Sequence, residues 1–579
     1  MHGRRIAAVL AIAAVLGVSG ALHVMAIAGV QRITHDDTIS YLAATGHQGQ
    51  FQHVIDSGSS PVARWVPAAQ WQSFTRIDGA FPLLTIARDL GHYDIHPPVY
   101  FWLLHAWSLL VGVHLWTGPV LNLLLHVLTG VVLWRLARRL VRSAPAAWAV
   151  VGIWATLPAV AETVASSRQY SLAGLLSIAL GAAFLRTRHR MSARGLIQLA
   201  ALTALGLLTL YPFGVVAAGL GLVSLVDLRL PEHRRAALAQ IGAFAAGGLV
   251  FLAGQPWLRE VLERQQEQVE ARVPGLGLLR AGGLLRDLPQ FAFTGLPAMA
   301  GTVVLILTAV LAVLAWRVRP NARPVIWVAV WVPAVLAAMY VAVLSPGAAS
   351  EARYFSIALP YVAFLPVLAW PYVRVQPVAA LAMGVFAVAA VANVTLAARA
   401  ADTSPAMLTG DRPVVLDNLA RGVLLRIVWD LPPSTPVYAA DHPTLLRTTD
   451  RWLECTAPSP CRNRAVTLAS QVQYDATAVG QQQILDAAAD VRVVTREPPL
   501  DEVAERYRLS APIAGAGSVG SGFSSSWLGS TQSGARSRTA RMMIPMRTTA
   551  RSADAAASSS YVPDGVYWAR RASHQNSVQ

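Results

Sequence analysis

The 579-residue sequence contains no lysine, so all 47 Lys+Arg positions are arginine. We read this as genome composition and not as mechanism. Charge of either sign is scarce, at 13% Asp, Glu, Lys and Arg against 54% hydrophobic residues, where soluble domains carry about a quarter charged residues. That excludes an ordinary soluble chain and indicates a polytopic membrane protein. The formal net charge of +16 would suit nucleic acid, but the arginines fall in short clusters between apolar runs and form no single patch. Nucleic acid is therefore not expected as a partner, and membrane topology explains the charge. Cysteine is nearly absent: Cys455 and Cys461 are the two in the chain, and they read either as a disulfide or as two unrelated thiols. The histidines are dispersed and no spaced Cys/His set occurs, so no metal and no other cofactor is expected.

Apolar runs take the place of charge. Read as spans of about 20 residues and oriented by arginine in short loops, they begin after Met1-His2-Gly3-Arg4-Arg5. Ile6 to Val30 has the form of a signal peptide with Ala26-Ile27-Ala28 as a cleavage-like site. Its length exceeds the roughly 7–15 residues of a signal core, and an uncleaved first span over 6–28 is expected. With Arg4 and Arg5 inside, the segment Thr34-His35-Asp36-Asp37-Thr38-Ile39-Ser40-Tyr41 emerges on the extracytoplasmic side. Adjacent carboxylates at the mouth of a membrane helix are costly and usually mark function. The alternatives are a polar flank, or Asp36 as the N-cap of a helix over Thr38 to Ala44. The following loop, Gln31 to His96, scatters Trp65, Trp71, Phe74 and Phe81 among polar residues, which suits helices lying at the interface.

Asp94-Ile95-His96-Pro97-Pro98-Val99-Tyr100-Phe101 opens a run to Trp116, and a second run follows to Trp134. If both crossed, Arg135, Arg138, Arg139 and Arg142 would lie outside, so the first and shorter run is assigned as a juxtamembrane or re-entrant helix. Further spans are then expected near 118–137, 144–163, 168–186, 195–211, 213–229, 237–256, 298–316, 324–344, 354–371 and 376–397. This gives about 11 transmembrane helices in all. The charge run Arg259, Glu260, Glu263, Arg264, Glu267 and Glu270 reads as a solvated helix face on the outer surface. After Ala398 the composition becomes soluble. Short strands at Pro436 to Ala439, Ala465 to Leu468 and Val491 to Val494, with a helix over Gly480 to Ala489, predict a small extracytoplasmic α/β domain. There a Cys455–Cys461 disulfide is plausible chemistry. The expected division is 1–400 membrane domain, 401–514 α/β domain and 515–579 low-complexity tail without structure.

Three features collect on the outer face: Asp36 with Asp37, the Asp94 to Tyr100 segment, and the pairs Arg168/Tyr170 and Arg353/Tyr354. A carboxylate that takes a proton from an acceptor hydroxyl, facing arginines that hold a phosphate, is what group transfer from a phospholipid donor requires. In this order His35-Asp36-Asp37, Asp94-Ile95-His96-Pro97-Pro98-Val99-Tyr100, Ser167-Arg168-Gln169-Tyr170 and Ala352-Arg353-Tyr354 resemble the GT-C glycosyltransferases of the protein mannosyltransferase and aminoarabinose transferase kind (glycosyltransferase family 39-like), over residues 1–400. The resemblance implies a GT-C-like α-helical fold and a polyprenyl-phosphate-linked sugar as donor. It also implies inverting transfer on the extracytoplasmic side of the plasma (inner) membrane to an envelope glycan, lipid or protein. The first acid of the pair is the base in that family, which maps to Asp36. Asp37 stands where the family more often has Glu.

Asp36 and Asp37 are thus the catalytic candidates, and His96, Arg168, Tyr170, Arg353 and Tyr354 the substrate-binding ones. Against each stands a plainer reading: His96 as a turn residue, the arginines as headgroup anchors, and the tyrosines as interfacial aromatics. A divalent ion on the acid pair is disfavoured. The alternative functions are a membrane transporter or a lipid or glycolipid flippase, for which no internal repeat is found, and a surface-assembly scaffold.

Overall fold

The computed structural model describes residues 17, 19–30, 32–79, 81–270, 309–317, 319–343, 355–369, 412–454, 460, 464–471, 475–497 and 504–512. Arg353, Tyr354, Cys455, Cys461, the expected span at 376–397, most of that at 298–316 and the tail 515–579 lie outside the described residues.

The chain is mostly helical. After α1 (Ser19–Ala28) come α2 (His35–Thr45), α3 (Gln48–Ser57), β1 (Trp65–Pro67), α4 (Ala68–Gln72), α5 (Leu83–Tyr93) and α6 (Val99–Val111). The apolar helices α7 (Thr117–Val141), α8 (Ala144–Ala155), α9 (Pro158–Ala165), α10 (Tyr170–His189), α11 (Ala193–Leu207), α12 (Phe213–Asp227) and α13 (Arg234–Gly254) follow. Next are α14 (Leu258–Glu270), α15 (Arg323–Val343), α16 (Leu359–Val362) and α17 (Phe364–Ala369). Among the described residues α7, α10 and α13 are long and apolar enough to cross a membrane, and α8 with α9 makes a fourth if the pair, bent by 64°, is one span. Helix α6 has 13 residues, about 20 Å of rise, which falls short of a hydrocarbon core of about 30 Å. Its length agrees with a run that does not cross. Helix α7, with 25 residues, ends on Arg138 and Arg139, where cations complement the carbonyl end of the helix dipole.

The remaining elements are β2 (Val414–Leu416), α18 (Arg421–Trp429), β3 (Pro436–Ala439), α19 (His442–Arg447), α20 (Thr449–Trp452), β4 (Val466–Gln471), α21 (Asp475–Ala489), β5 (Arg492–Glu497) and β6 (Ala504–Pro512). They form a six-stranded sheet of order β1-β3-β2-β4-β6-β5. Its centre, β3-β2-β4, is parallel, and β6 and β5 add antiparallel on one side. On the other side β1 pairs antiparallel with β3 in the register Trp65 to Tyr438, so the loop after the first apolar run supplies an edge strand to a sheet made far along the chain. That strand covers backbone groups of β3 that would otherwise be an open edge. One side of the sheet buries Val414, Leu416 and Val437 with Leu424 and Val428 of α18 and with Phe51, Trp71 and Phe74 of the loop. The other side buries Tyr438 and Leu468 with Trp452, Ile484 and Leu509. The apolar helices share a separate, larger core.

Candidate active site

Helix α2 starts because Thr34, in an extended conformation, turns its side-chain oxygen back to the Asp37 amide, and it ends on Gly46 at φ 80°. Thr34 is therefore the cap, and Asp36 is left to face outward. The two acids part company at once. Asp36 pairs with Arg168 (Oδ1 to guanidinium 3.0 Å) and its side chain is 22% exposed. Asp37 is 3% exposed and accepts the Ser167 amide at 2.6 Å. Burial pushes the Asp37 carboxyl up, opposed by its bonds to Ser167 and Thr34. Adjacent helix positions point about 100° apart, so one carboxylate can meet the opening while its neighbour holds the loop that carries Arg168.

That loop joins α9 to α10 and is tied from several sides. Asn122 of α7 donates to the carbonyls of Thr163, Ser166 and Arg168. Tyr41 accepts from the Gly118 amide at 2.8 Å and from the Ser167 hydroxyl at 3.1 Å, and donates to the His114 carbonyl at 2.9 Å. A Cβ at Gly118 would lie 2.2 Å from the Ser167 hydroxyl oxygen, so only glycine lets α7 come this close. Arg168 is thereby held buried, with Ser40 of α2 accepting from its guanidinium at 3.3 Å.

The second motif piece converges on the same charges. Asp94 follows α5 and is sealed, its side chain 4% exposed. It binds His96 Nδ1 at 2.5 Å, the Arg421 guanidinium at 2.9 Å and the Ile95 amide at 2.7 Å. Burial works against its charge, yet Arg421, then His96 and more weakly Arg168, hold the carboxyl well below the usual range. His35, the other histidine here, is pushed down by burial and by Arg426, Arg168 and Arg421, against the pull of Asp36. Arg168 thus acts electrostatically on both acidic segments.

Of the residues expected at the site, Asp36, Asp37, His96 and Arg168 are brought together by α2, the start of α6 and the start of α10. Tyr170 is not part of that group. It is buried and lines a separate cavity with His126, Thr129, Trp154, Thr163 and Ser356, because it begins α10 and turns inward. Arg353 and Tyr354 lie outside the described residues, while Ile357, shortly after them, accepts from Ser177 of α10 at 2.8 Å. The charge run on α14 is more than a solvated face: Arg264 donates to the carbonyls of Gly91, His92 and Asp94, capping the end of α5. Sequence reasoning missed Tyr41, Asn122, Arg264 and Arg421. Asn122 had a signal, as a lone amide in a long apolar run. Arg421 had none. Among the described residues no group of three or more His, Cys, Asp or Glu could hold a metal ion.

The model of the family "dolichyl-phosphate-mannose-protein mannosyltransferase" matches residues 95–258, a stretch that carries His96 and Arg168. No curated protein matches the chain. Among solved structures the chain is similar to ArnT from Cupriavidus metallidurans bound to undecaprenyl phosphate, at TM-score 0.47 and 14% identity over 88% of this chain and 99% of that one. It is also similar to the archaeal oligosaccharyltransferase AglB from Archaeoglobus fulgidus in complex with an inhibitory peptide and a dolichol-phosphate, at TM-score 0.41 and 10% identity over 84% and 74%. The chain is thus similar to the dolichyl-phosphate-mannose-protein mannosyltransferase family over the stretch that runs from just before His96 to the start of α14.

Proposed function

We propose that the chain is an inverting glycosyltransferase that moves a sugar from a polyprenyl-phosphate donor to a hydroxyl of an envelope glycan, lipid or protein. It works on the extracytoplasmic side of the plasma (inner) membrane, within a domain of about 11 spans over residues 1–400. Residues 401–514 supply most of an α/β unit on the same side, its edge completed by β1 from the loop after the first apolar run.

The observation that carries this reading is the Asp36–Arg168 pair, 3.0 Å apart and partly open, with Asp94, which binds His96, under the field of the same arginine. The acceptor oxygen attacks the anomeric carbon, its proton passes to Asp36, and the bond to the phosphate oxygen breaks with its electrons retained by the lipid phosphate. Arg168, with Arg353 from the late motif, neutralises that leaving group, an electrostatic contribution that is often the largest in catalysis. His96 contacts the acceptor or the phosphate, and Tyr354 borders the donor. Asp37, buried against Ser167, keeps the Arg168 loop in place. Tyr170 we assign to packing.

Vesicles containing the full chain test this directly. Asp36→Asn should abolish release of free polyprenyl phosphate from the donor while the protein remains folded in the membrane. Substrate movement without cleavage of the glycosyl phosphate bond would instead establish a transporter or flippase.

A further inference from the structure

The sheet-bearing region reaches into the site through one helix. Helix α18 lies along α2. At its start the Arg421 guanidinium binds the Asp94 carboxylate at 2.9 Å and the Tyr93 carbonyl at 2.8 Å. The next residue, Gly422, faces the His35 ring so closely that a Cβ there would sit 2.3 Å from Nδ1. At the other end Trp429 stacks on Tyr41 with ring centroids 5.5 Å apart, and Asp430 pairs with Arg32 at 3.7 Å. Both acidic motif pieces are therefore touched by two consecutive residues that share no sequence neighbourhood with them. Arg421 and Asp94 stand 327 positions apart.

We propose that Arg421 is a positioning residue of the transferase site: by holding the buried Asp94 carboxylate it keeps the Asp94–His96 bond in place, and with Gly422 it seats α18 against the helix that carries Asp36. Asp94 accepts from His96 Nδ1 at 2.5 Å, which fixes the ring plane and leaves the opposite nitrogen, Nε2, in the acceptor tautomer. Gln48 adds a weaker contact at 3.4 Å, and Arg264 holds the Asp94 carbonyl from α14. Arg421 is the charge-compensating partner from outside the membrane helices. The α/β region is on this view a structural part of the active site, and the sugar transfer reaction depends on its docking. The proposal rests on the transferase reading.

Hydrogen exchange over residues 93–98 of the full chain in detergent needs no substrate and tests the positioning directly. In Arg421→Gln, exchange there should rise about tenfold and the rest of α5 and α6 should stay protected, whereas Arg421→Lys should resemble the natural protein. Should Arg421→Gln fail to fold, Asp94→Asn carries the same expectation. Unchanged exchange in whichever variant folds would overturn the proposal. In membranes supplied with a synthetic short-chain polyprenyl-phosphate mannose, Arg421→Gln should lower kcat by up to about 100-fold with little change in KM, and Arg421→Lys should recover most of it. Full activity in Arg421→Gln alongside an inactive Asp36→Asn would sink the role of Arg421 while leaving the transferase reading intact. Full activity in Asp36→Asn would sink that reading instead.

Discussion

Two carboxylates of this protein meet arginine in contrasting ways. Asp36 pairs with Arg168 and stays partly open, its side chain 22% exposed. Asp94 is enclosed, 4% exposed, and its oxygens accept from a histidine, an arginine and a main-chain amide. A sealed, fully bonded acid has its lone pairs committed and stabilises geometry. A partly open one keeps capacity for a passing proton. On the proposed reading the difference separates a reacting group from its support, although both acids sit in motif segments that look equally chemical in one dimension.

Substitutions at each carboxylate put that contrast to the test. The largest effect belongs to Asp36→Asn, which should cost at least about 100-fold in transfer and leave the thermal melting of the detergent-extracted protein nearly unchanged. Asp94→Ala should do the reverse first: it removes the sealed acceptor shared by Arg421, His96 and the Ile95 amide and should destabilise by about 3 kcal/mol, read as a large drop in Tm. If Asp94→Ala melts like the natural protein, the enclosed acid is not the support described here.

On helix α14 the same comparison repeats among arginines. Arg264 holds three carbonyls at the end of α5, and its loss should cost about 2 kcal/mol. Arg259 pairs with Glu263 on a face where its side chain is 88% exposed. Arg259→Ala should change stability by about 0.5 kcal/mol or less, within the error of a melting curve.

Asp37 supplies a signed pH test. Burial raises its carboxyl above the ordinary value, so between about 3.9 and the raised value the folded chain binds more protons than the unfolded one. Stability is then lost as pH rises through that interval. Asp37→Asn keeps an oxygen for the Ser167 amide and removes the charge. It should raise Tm at pH 7, with the gain shrinking as pH falls toward 4. A gain that is equal at both pH values would contradict the burial argument.

The parts of the fold carried by local pattern were legible. Runs of apolar residues lie where α7 and α10 to α13 form, and the short β-rich segments near 436, 466 and 492 lie where β3, β4 and β5 form, since hydrophobic period and turn residues act over a few neighbours. The site was half legible. Asp36, His96 and Arg168 stood out because charge near a membrane span is expensive. Tyr170 lies apart from them: an aromatic at a span end and an aromatic in a helix interface have the same local sequence, and α10 turns it inward. The capping of α2 by Thr34 was equally readable in principle, yet Asp36 competes for the same role on composition alone.

What the amino-acid order determined by itself is the apolar, membrane-like character, the presence of an acidic pair after the first apolar run and a motif order that resembles the GT-C glycosyltransferases, because each depends on residues close together in the chain. Which acid is exposed, how Arg168 serves both segments, and that Arg421 completes the set were decided by tertiary structure alone. Those outcomes depend on burial and on contacts across as many as 327 positions, and a charge's surroundings are set by packing, which no local pattern encodes.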